Sequence, residues 1–250
     1  MNRINFLNCK LDLLTMEETL KIIQNKIDNN EFLHQVVINV AKLIHIQNNI
    51  DLKNSVNNSD IINIDGMGII YGANFLNYNI NKSFKVSGID LFYKLIELSE
   101  KKKYKIFLLG GTDDIIKKTV INLKHNYKKL NIAGHHNGYF WDNEEEIVGK
   151  INDSKANLLF VAITSPKKEI FIEKWKKELK INYVMGVGGT FDIVAGKSKR
   201  APKWMQNFGL EWFYRILQEP KRMWKRYLIT NSIYFYLLLK EKMHKLQKNK

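Results

Sequence analysis

An α/β fold, a mostly parallel sheet with flanking helices followed by a helical, basic C-terminal appendage, is what the sequence predicts, on three observations. Short apolar runs alternate with amphipathic segments from about residue 15 to residue 190, the pattern of strands buried on both faces and joined by right-handed helical crossovers. Several of these runs end in glycine, or in glycine beside a carboxylate, which is the composition of strand-to-helix turns. Near Gly196 the alternation stops and a cationic, Trp-rich segment begins, so the chain is expected to divide into a core over residues 1–196 and an appendage over 197–250.

Taken in order, Thr15-Met-Glu-Glu18 has the spacing of a capping box, and Leu20, Ile23 and Ile27 behind it mark a first amphipathic helix. QVVINV (35–40) predicts a buried strand and AKLIHIQNN a short helix. DIINID (60–65) is the next strand, ending at Asp65-Gly66, and MGIIYGANFL the next helix. Ser87-Gly-Ile-Asp90 is expected to cap the helix IDLFYKLIELSE. KIFLLGG (105–111) runs an apolar strand into a double glycine, and Ile116, Val120 and Leu123 repeat at helical spacing after it. NIAG (131–134) begins a strand, EEEIVGKIND is helical, NLLFVAI (157–163) is a strand, KKEIFIEKWKKEL a helix and NYVMGVGG (182–189) the last strand.

At 250 residues, 45% hydrophobic and 26% charged, the chain is long enough for one substantial core plus an appendage, and disorder is excluded. The formal net charge is +15, and Lys197–Lys250 carries fourteen Lys or Arg against three acids, or +11 of that total. Such density implies an anionic partner: nucleic acid, acidic lipid or a phosphorylated ligand. Only the last ten residues, after Lys240, read as a frayed, solvated end. Cys9 is the sole cysteine, which excludes an intrachain disulfide and a Cys-based metal site and fits a reducing compartment. MNRINFLNCKLDLLTMEETL lacks the apolar core of a secretory signal, and YLITNSIYFYLLL (227–239) is too short and polar to span a bilayer. Membrane contact is therefore expected to be peripheral.

Ligands of open parallel sheets bind beyond the carboxyl ends of the strands, so the strand-to-helix turns are where chemistry is expected. IDGMG (64–68) places a carboxylate after a strand beside glycines; as an isolated Asp-Gly, Asp65 reads first as the N-cap of the next helix. FLLGGT (107–112), with Gly110 and Gly111, resembles a phosphate-cradling turn, although a tight turn explains it equally well. HHNGYF (135–140) reads as a loop offering a stacking ring at Tyr139 in preference to a metal site. TSPKKE (164–169) opens a helix, with Thr164 and Ser165 as expected caps ahead of Lys168 and Glu169. VGGTFD (187–192) again ends a strand with glycine, Gly189, and a carboxylate, Asp192. Five such turns on one edge point to a large site for a polar, phosphorylated ligand.

The sequence has no G-x-S-x-G elbow, no G-x-x-x-x-G-K-[ST] loop, no H-E-x-x-H, no kinase signature and no Asp-x-Asp. Were it to cleave a diphosphate leaving group, positive side chains would have to do what a metal otherwise does. FGLEWFYRILQEPKRMWKRYL (208–228) offers them: on a helix, Arg215, Arg222 and Arg226 share one face with Trp224, Tyr227 and Phe235 roughly opposite, and Pro220 is expected to break the helix between them. One face would offer guanidinium forks to a diphosphate while the other rests on lipid or core; an ordinary amphipathic docking helix explains the pattern as well.

IDGMG, KVSGIDLFYKL, IFLLGG, GYF, SPKKE and VGGTFDIVAGKSKRAPKWMQNFGLEWFYRILQEPKR, in that order from about Val36 to Tyr227, together resemble the WecG/TagA/CpsF family of bacterial glycosyltransferases. The resemblance implies a Rossmann-like core, and an appendage that supplies arginines to the active site and helps hold the enzyme on the inner face of the cytoplasmic membrane. It implies metal-independent, inverting transfer of a sugar, typically N-acetylmannosamine or a relative, from a UDP donor to a lipid-diphosphate-linked saccharide, with no cofactor. Asp65 matches the family's general base, Asn39 in VINV the T-x-N motif near the substrate, and Arg215 and Arg222 appendage arginines, with Arg226 a looser correspondence. Three departures from the family pattern stand out: Val37 replaces a Thr, Thr164-Ser165 replaces Gly-Ala, and Lys168 replaces a Gln, the hydroxyl lost at Val37 and the cation gained at Lys168 bearing on donor or acceptor choice. Two alternatives remain: a nucleic-acid-binding protein, against which the cations cluster beside an apolar segment, and a nicotinamide-dependent dehydrogenase, against which the glycine fingerprint is incomplete. Donor identity, acceptor glycan and oligomeric state, a homo-oligomer included, are left open.

Overall fold

The computed structural model describes residues 2–248, the side chains of Arg222 and Lys248 excepted. It opens with an antiparallel hairpin, β1 (Arg3–Phe6) and β2 (Cys9–Asp12), too short for periodicity to announce. α1 (Met16–Asp28) follows with the expected capping box complete: Thr15 accepts from the Glu18 N–H and Glu18 accepts from the Thr15 N–H. Then come β3 (Leu33–Ile38), α2 (Val40–Asn48), α3 (Ile50–Asn57), β4 (Ile61–Ile64), α4 (Met67–Phe75) and α5 (Gly88–Lys102). β5 (Lys105–Gly110), α6 (Asp113–Asn126), β6 (Asn131–His136), α7 (Glu144–Asp153), β7 (Leu158–Ala162), α8 (Lys167–Trp175) and β8 (Tyr183–Gly186) continue the alternation.

β3 to β8 form one six-stranded sheet, ordered β4-β3-β8-β7-β5-β6 and parallel throughout. β3, β4 and β7 are buried at every position, which is why they read as mostly apolar runs, and of the polar side chains they do bury, Gln35 donates to Asn63 Oδ1 at 2.8 Å. α1, α5 and α6 cover one face, around Ile23, Phe92, Leu95 and Ile116. On the other, α2, α3 and α4 pack near β3 and β4, and α7 and α8 near β5 and β7. α3 was not anticipated: IDLKNSVN carries a weak stripe, and Asn49 starts it by accepting from the Leu52 N–H at 2.8 Å.

Beyond the sheet lie α9 (Thr190–Val194), α10 (Lys203–Asn207), α11 (Glu211–Gln218) and α12 (Pro220–Lys248). Pro220 separates the last two, as expected of a residue that fits only a first turn. α12 folds back onto the core: Tyr234 and Leu238 join the cluster around α2 and α4, and the Tyr234 hydroxyl donates to Gly68 O at 2.9 Å. The expectation of a frayed end after Lys240 does not hold. The helix runs to Lys248, and Lys242 donates to Phe75 O (2.8 Å) and Lys245 to Leu76 O (3.3 Å), cations meeting the carbonyls that end α4. Among the described residues, no helix is long and apolar enough to cross a membrane.

Candidate active site

β4 ends at Ile64, and Gly66 turns the chain at φ 88° into α4 with open space above it. The Asp65 N–H is tied to Ile38 O at 2.8 Å. Gly66, not Asp65, is the N-cap, so the helix-cap reading of Asp65 is corrected: among the described residues its carboxylate has no hydrogen-bond or ion-pair partner. Burial and then the charge of Glu211 push its pKa up to about 6, opposed by Arg215, Lys85 and Lys42. A carboxylate so placed is mostly ionised at neutral pH yet holds a proton more tightly than an ordinary aspartate, which suits a general base.

Asn39 follows β3 and caps α2, its Oδ1 accepting from the Lys42 N–H at 3.0 Å. That cap aims Lys42 across the strand ends at Glu169, and the two meet at 2.9 Å, with Lys168 at 3.0 Å from the same Glu169 oxygen. All three side chains are under a tenth exposed. Burial alone would raise the Glu169 carboxyl, but the two ammonium groups outweigh it and hold it near 2. Burial and the charge of Lys42 bring Lys168 down to about 8 against the pull of Glu169. The Lys168 stem lies on Gly186, where an added Cβ would stand 2.5 Å from it, so β8 must end in glycine to seat this lysine. Two cations around one anion leave a buried net positive charge beside the strand ends.

α11 and α12 bring further cations to this edge, though not as predicted. Arg215 stands on α11 and Arg226 on α12, so a single helical face does not carry them, because Pro220 starts a new helix. The charge of Arg215 acts on Asp65, whereas that of Arg226 acts on His45 and Lys168. Arg222 lies outside the described side chains. Arg200 makes a two-pronged pair with Asp90, at 2.5 and 2.7 Å, tying the segment after α9 to the start of α5. Exposed Trp212, Phe213, Leu217, Trp224, Leu228 and Phe235 make the outer surface of α11 and α12 strongly apolar.

The remaining predicted residues are spread along the same edge. Val37 is buried and packs against Gly88. Gly110 and Gly111 form a tight turn: a Cβ on Gly110 would stand 2.4 Å from Ala162 O, and the Gly111 N–H is already bonded to that oxygen at 3.1 Å. Tyr139 is 73% exposed beyond β6. Gly189 precedes α9, and Asp192 lies 3.4 Å from Lys197. Thr164 and Ser165 do not cap α8, nor does Ser87 cap the α5 backbone amides; Pro166 and Ser87 occupy the cap positions without a side-chain bond to the helix backbone. Lys42, Lys85, Arg200 and Glu211 were not foreseen. The last three lie inside the KVSGID, KRAP and GLEW blocks, while Lys42 is signalled only by standing three residues after an Asn cap.

The family model described as "Glycosyl transferase WecG/TagA/CpsF family" matches residues 4–248. The N-acetylglucosaminyldiphosphoundecaprenol N-acetyl-beta-D-mannosaminyltransferase of Bacillus subtilis is 34% identical over 190 residues, 76% of this chain and 72% of that protein. The protein of the same name from Bacillus spizizenii is 33% identical over 173 residues, 69% of this chain and 66% of its own length. On a match spanning nearly the whole chain, the protein belongs to the WecG/TagA/CpsF family of glycosyl transferases.

Proposed function

We propose that this glycosyltransferase moves N-acetylmannosamine, or a closely related hexose derivative, from a UDP donor to a lipid-diphosphate-linked saccharide with inversion at the anomeric carbon. The names of the two Bacillus relatives support the acceptor and the sugar. The observation that carries the chemistry is an unpartnered Asp65 carboxylate with a raised pKa, facing Arg215, Lys85 and Lys42 at the open end of the sheet.

Asp65 takes the proton of the acceptor hydroxyl as its oxygen bonds to the anomeric carbon from the face opposite UDP. The bond from that carbon to the β-phosphate oxygen breaks, and its electron pair leaves with UDP. Growing charge on the diphosphate is met by Arg215 from α11 and Arg226 from α12, with Arg222 given the same role by the family resemblance alone, so cations from the appendage act where a metal ion serves other sugar-nucleotide enzymes. Asn39, Lys168 and Glu169 line the donor side, Val37 sets its floor, and Gly110, Gly111, Tyr139, Gly189 and Asp192 extend the edge for the sugar or acceptor.

Residues 197–250 form the appendage in this reading. Their exposed Trp, Phe and Leu side chains beside Lys221, Lys225 and Arg226 suit the headgroup layer of an anionic membrane, where a lipid-linked acceptor resides. The enzyme then works as a peripheral protein on the inner face of the cell membrane. A panel of UDP-sugars offered with an N-acetylglucosaminyl lipid-diphosphate is expected to give fastest UDP release with UDP-N-acetylmannosamine. Release that ignores the acceptor, or occurs with none of the panel, contradicts the reading.

A further inference from the structure

Lys85 stands where three parts of the molecule meet. Its backbone forms a parallel bridge with Ile64, the residue before Asp65, and the Val86 N–H donates to Ile64 O at 2.8 Å. Its ammonium reaches in the other direction, to the cationic helices. It donates to Gln206 O near the end of α10 at 3.2 Å and lies 3.5 Å from the Glu211 carboxylate in the first turn of α11. Between those two partners is Gly209, at φ 73°, where an added Cβ would stand 2.8 Å from the Met67 Cβ. The α10–α11 turn therefore rests directly on Met67 at the start of α4, two residues after Asp65. Lys85 and Glu211 are 19% and 28% exposed, so their charges are only partly screened by water.

We propose that Lys85 and Glu211 are positioning residues for the reaction at Asp65: the pair docks α11 on the β4 turn, and its two opposite charges set the proton affinity of the base. This rests on the reading of Asp65 as that base. The charged groups acting on Asp65 are Lys42 from α2, Lys85 from the segment before α5, and Glu211 and Arg215 from α11, and Asp65 in turn acts on Arg200 from the segment before α10. Of the four that act on it, Glu211 alone favours the protonated form. If the pair only fastened α11, removing either partner would loosen the same contact and act in the same direction. Two charges of opposite sign must instead move the base in opposite directions.

The test uses the full chain and the pH dependence of kcat/KM for UDP release, comparing wild type, Glu211→Gln, Lys85→Gln and the double variant. The acid limb is expected to move down by roughly half a pH unit in Glu211→Gln and up by a similar amount in Lys85→Gln, with the double variant between them. Lys85→Arg, which keeps the charge, is expected to hold the limb at its wild-type position whatever it does to the rate. Limb position does not depend on how much enzyme is folded, so partial unfolding of a variant leaves the readout intact. Shifts in the same direction, or an unmoved limb in both single variants, overturn the proposal. Survival of the wild-type limb in Asp65→Asn is a different failure: it removes the base assignment itself.

Discussion

The turns after β4 and after β5 both pass from an apolar strand through glycine into a helix, yet they differ in what stands around them. After β5, Gly110 is required by the Ala162 carbonyl, the Gly111 N–H is occupied by the same carbonyl, and Asp113 and Asp114 already place negative charge in the first turn of α6. That turn is closed by packing and already carries negative charge. After β4, Gly66 faces open space, the Asp65 carboxylate has no hydrogen-bond or ion-pair partner among the described residues, and the charges of Lys42, Lys85 and Arg215 act on it. Glycine in a turn thus has two meanings, close packing or access, and only the neighbours of its missing Cβ distinguish them.

The largest effect on stability is expected where the open side is most densely charged. Glu169→Gln leaves Lys42 and Lys168 buried without an anion, and a loss of roughly 3–5 kcal/mol is expected by urea denaturation. Because Glu169 is held near 2, its contribution is present above its ordinary pKa of 4.5 and disappears as pH falls from there toward 2. The variant should lose that acid-side slope.

The two glycines then contrast directly. Gly110→Ala drives a Cβ into Ala162 O on top of the strain of a positive φ and is expected to cost about 4 kcal/mol, whereas Gly66→Ala meets only backbone strain, about 2 kcal/mol. Equal losses by thermal denaturation would erase the distinction. Arg215→Ala is expected to lower turnover roughly 10²-fold with little change in stability, since the side chain is exposed and makes no ion pair among the described residues. An unchanged rate would detach α11 from the chemistry.

Much of this was legible in the sequence because a parallel sheet buried on both faces writes itself as apolar runs. β4, β5, β7 and β8 fall within the predicted stretches, β3 begins two residues before its own, and Asp65 is singled out by its place after one of them. The β1–β2 hairpin escaped because four-residue strands with a polar outer face carry too little period. The tail after Lys240 was misread because its lysines look solvated until α4 supplies carbonyls for them. Lys42 and Glu169 lie far apart in sequence and meet only because β3 and β7 flank β8, so no local pattern announces their pairing.

Asp65→Asn gives the most direct test: UDP affinity by calorimetry alongside single-turnover UDP release with a lipid-diphosphate acceptor. Affinity is expected to match wild type while release slows by roughly 10²- to 10⁴-fold. Release at close to the wild-type rate, with UDP bound equally well, would contradict the account.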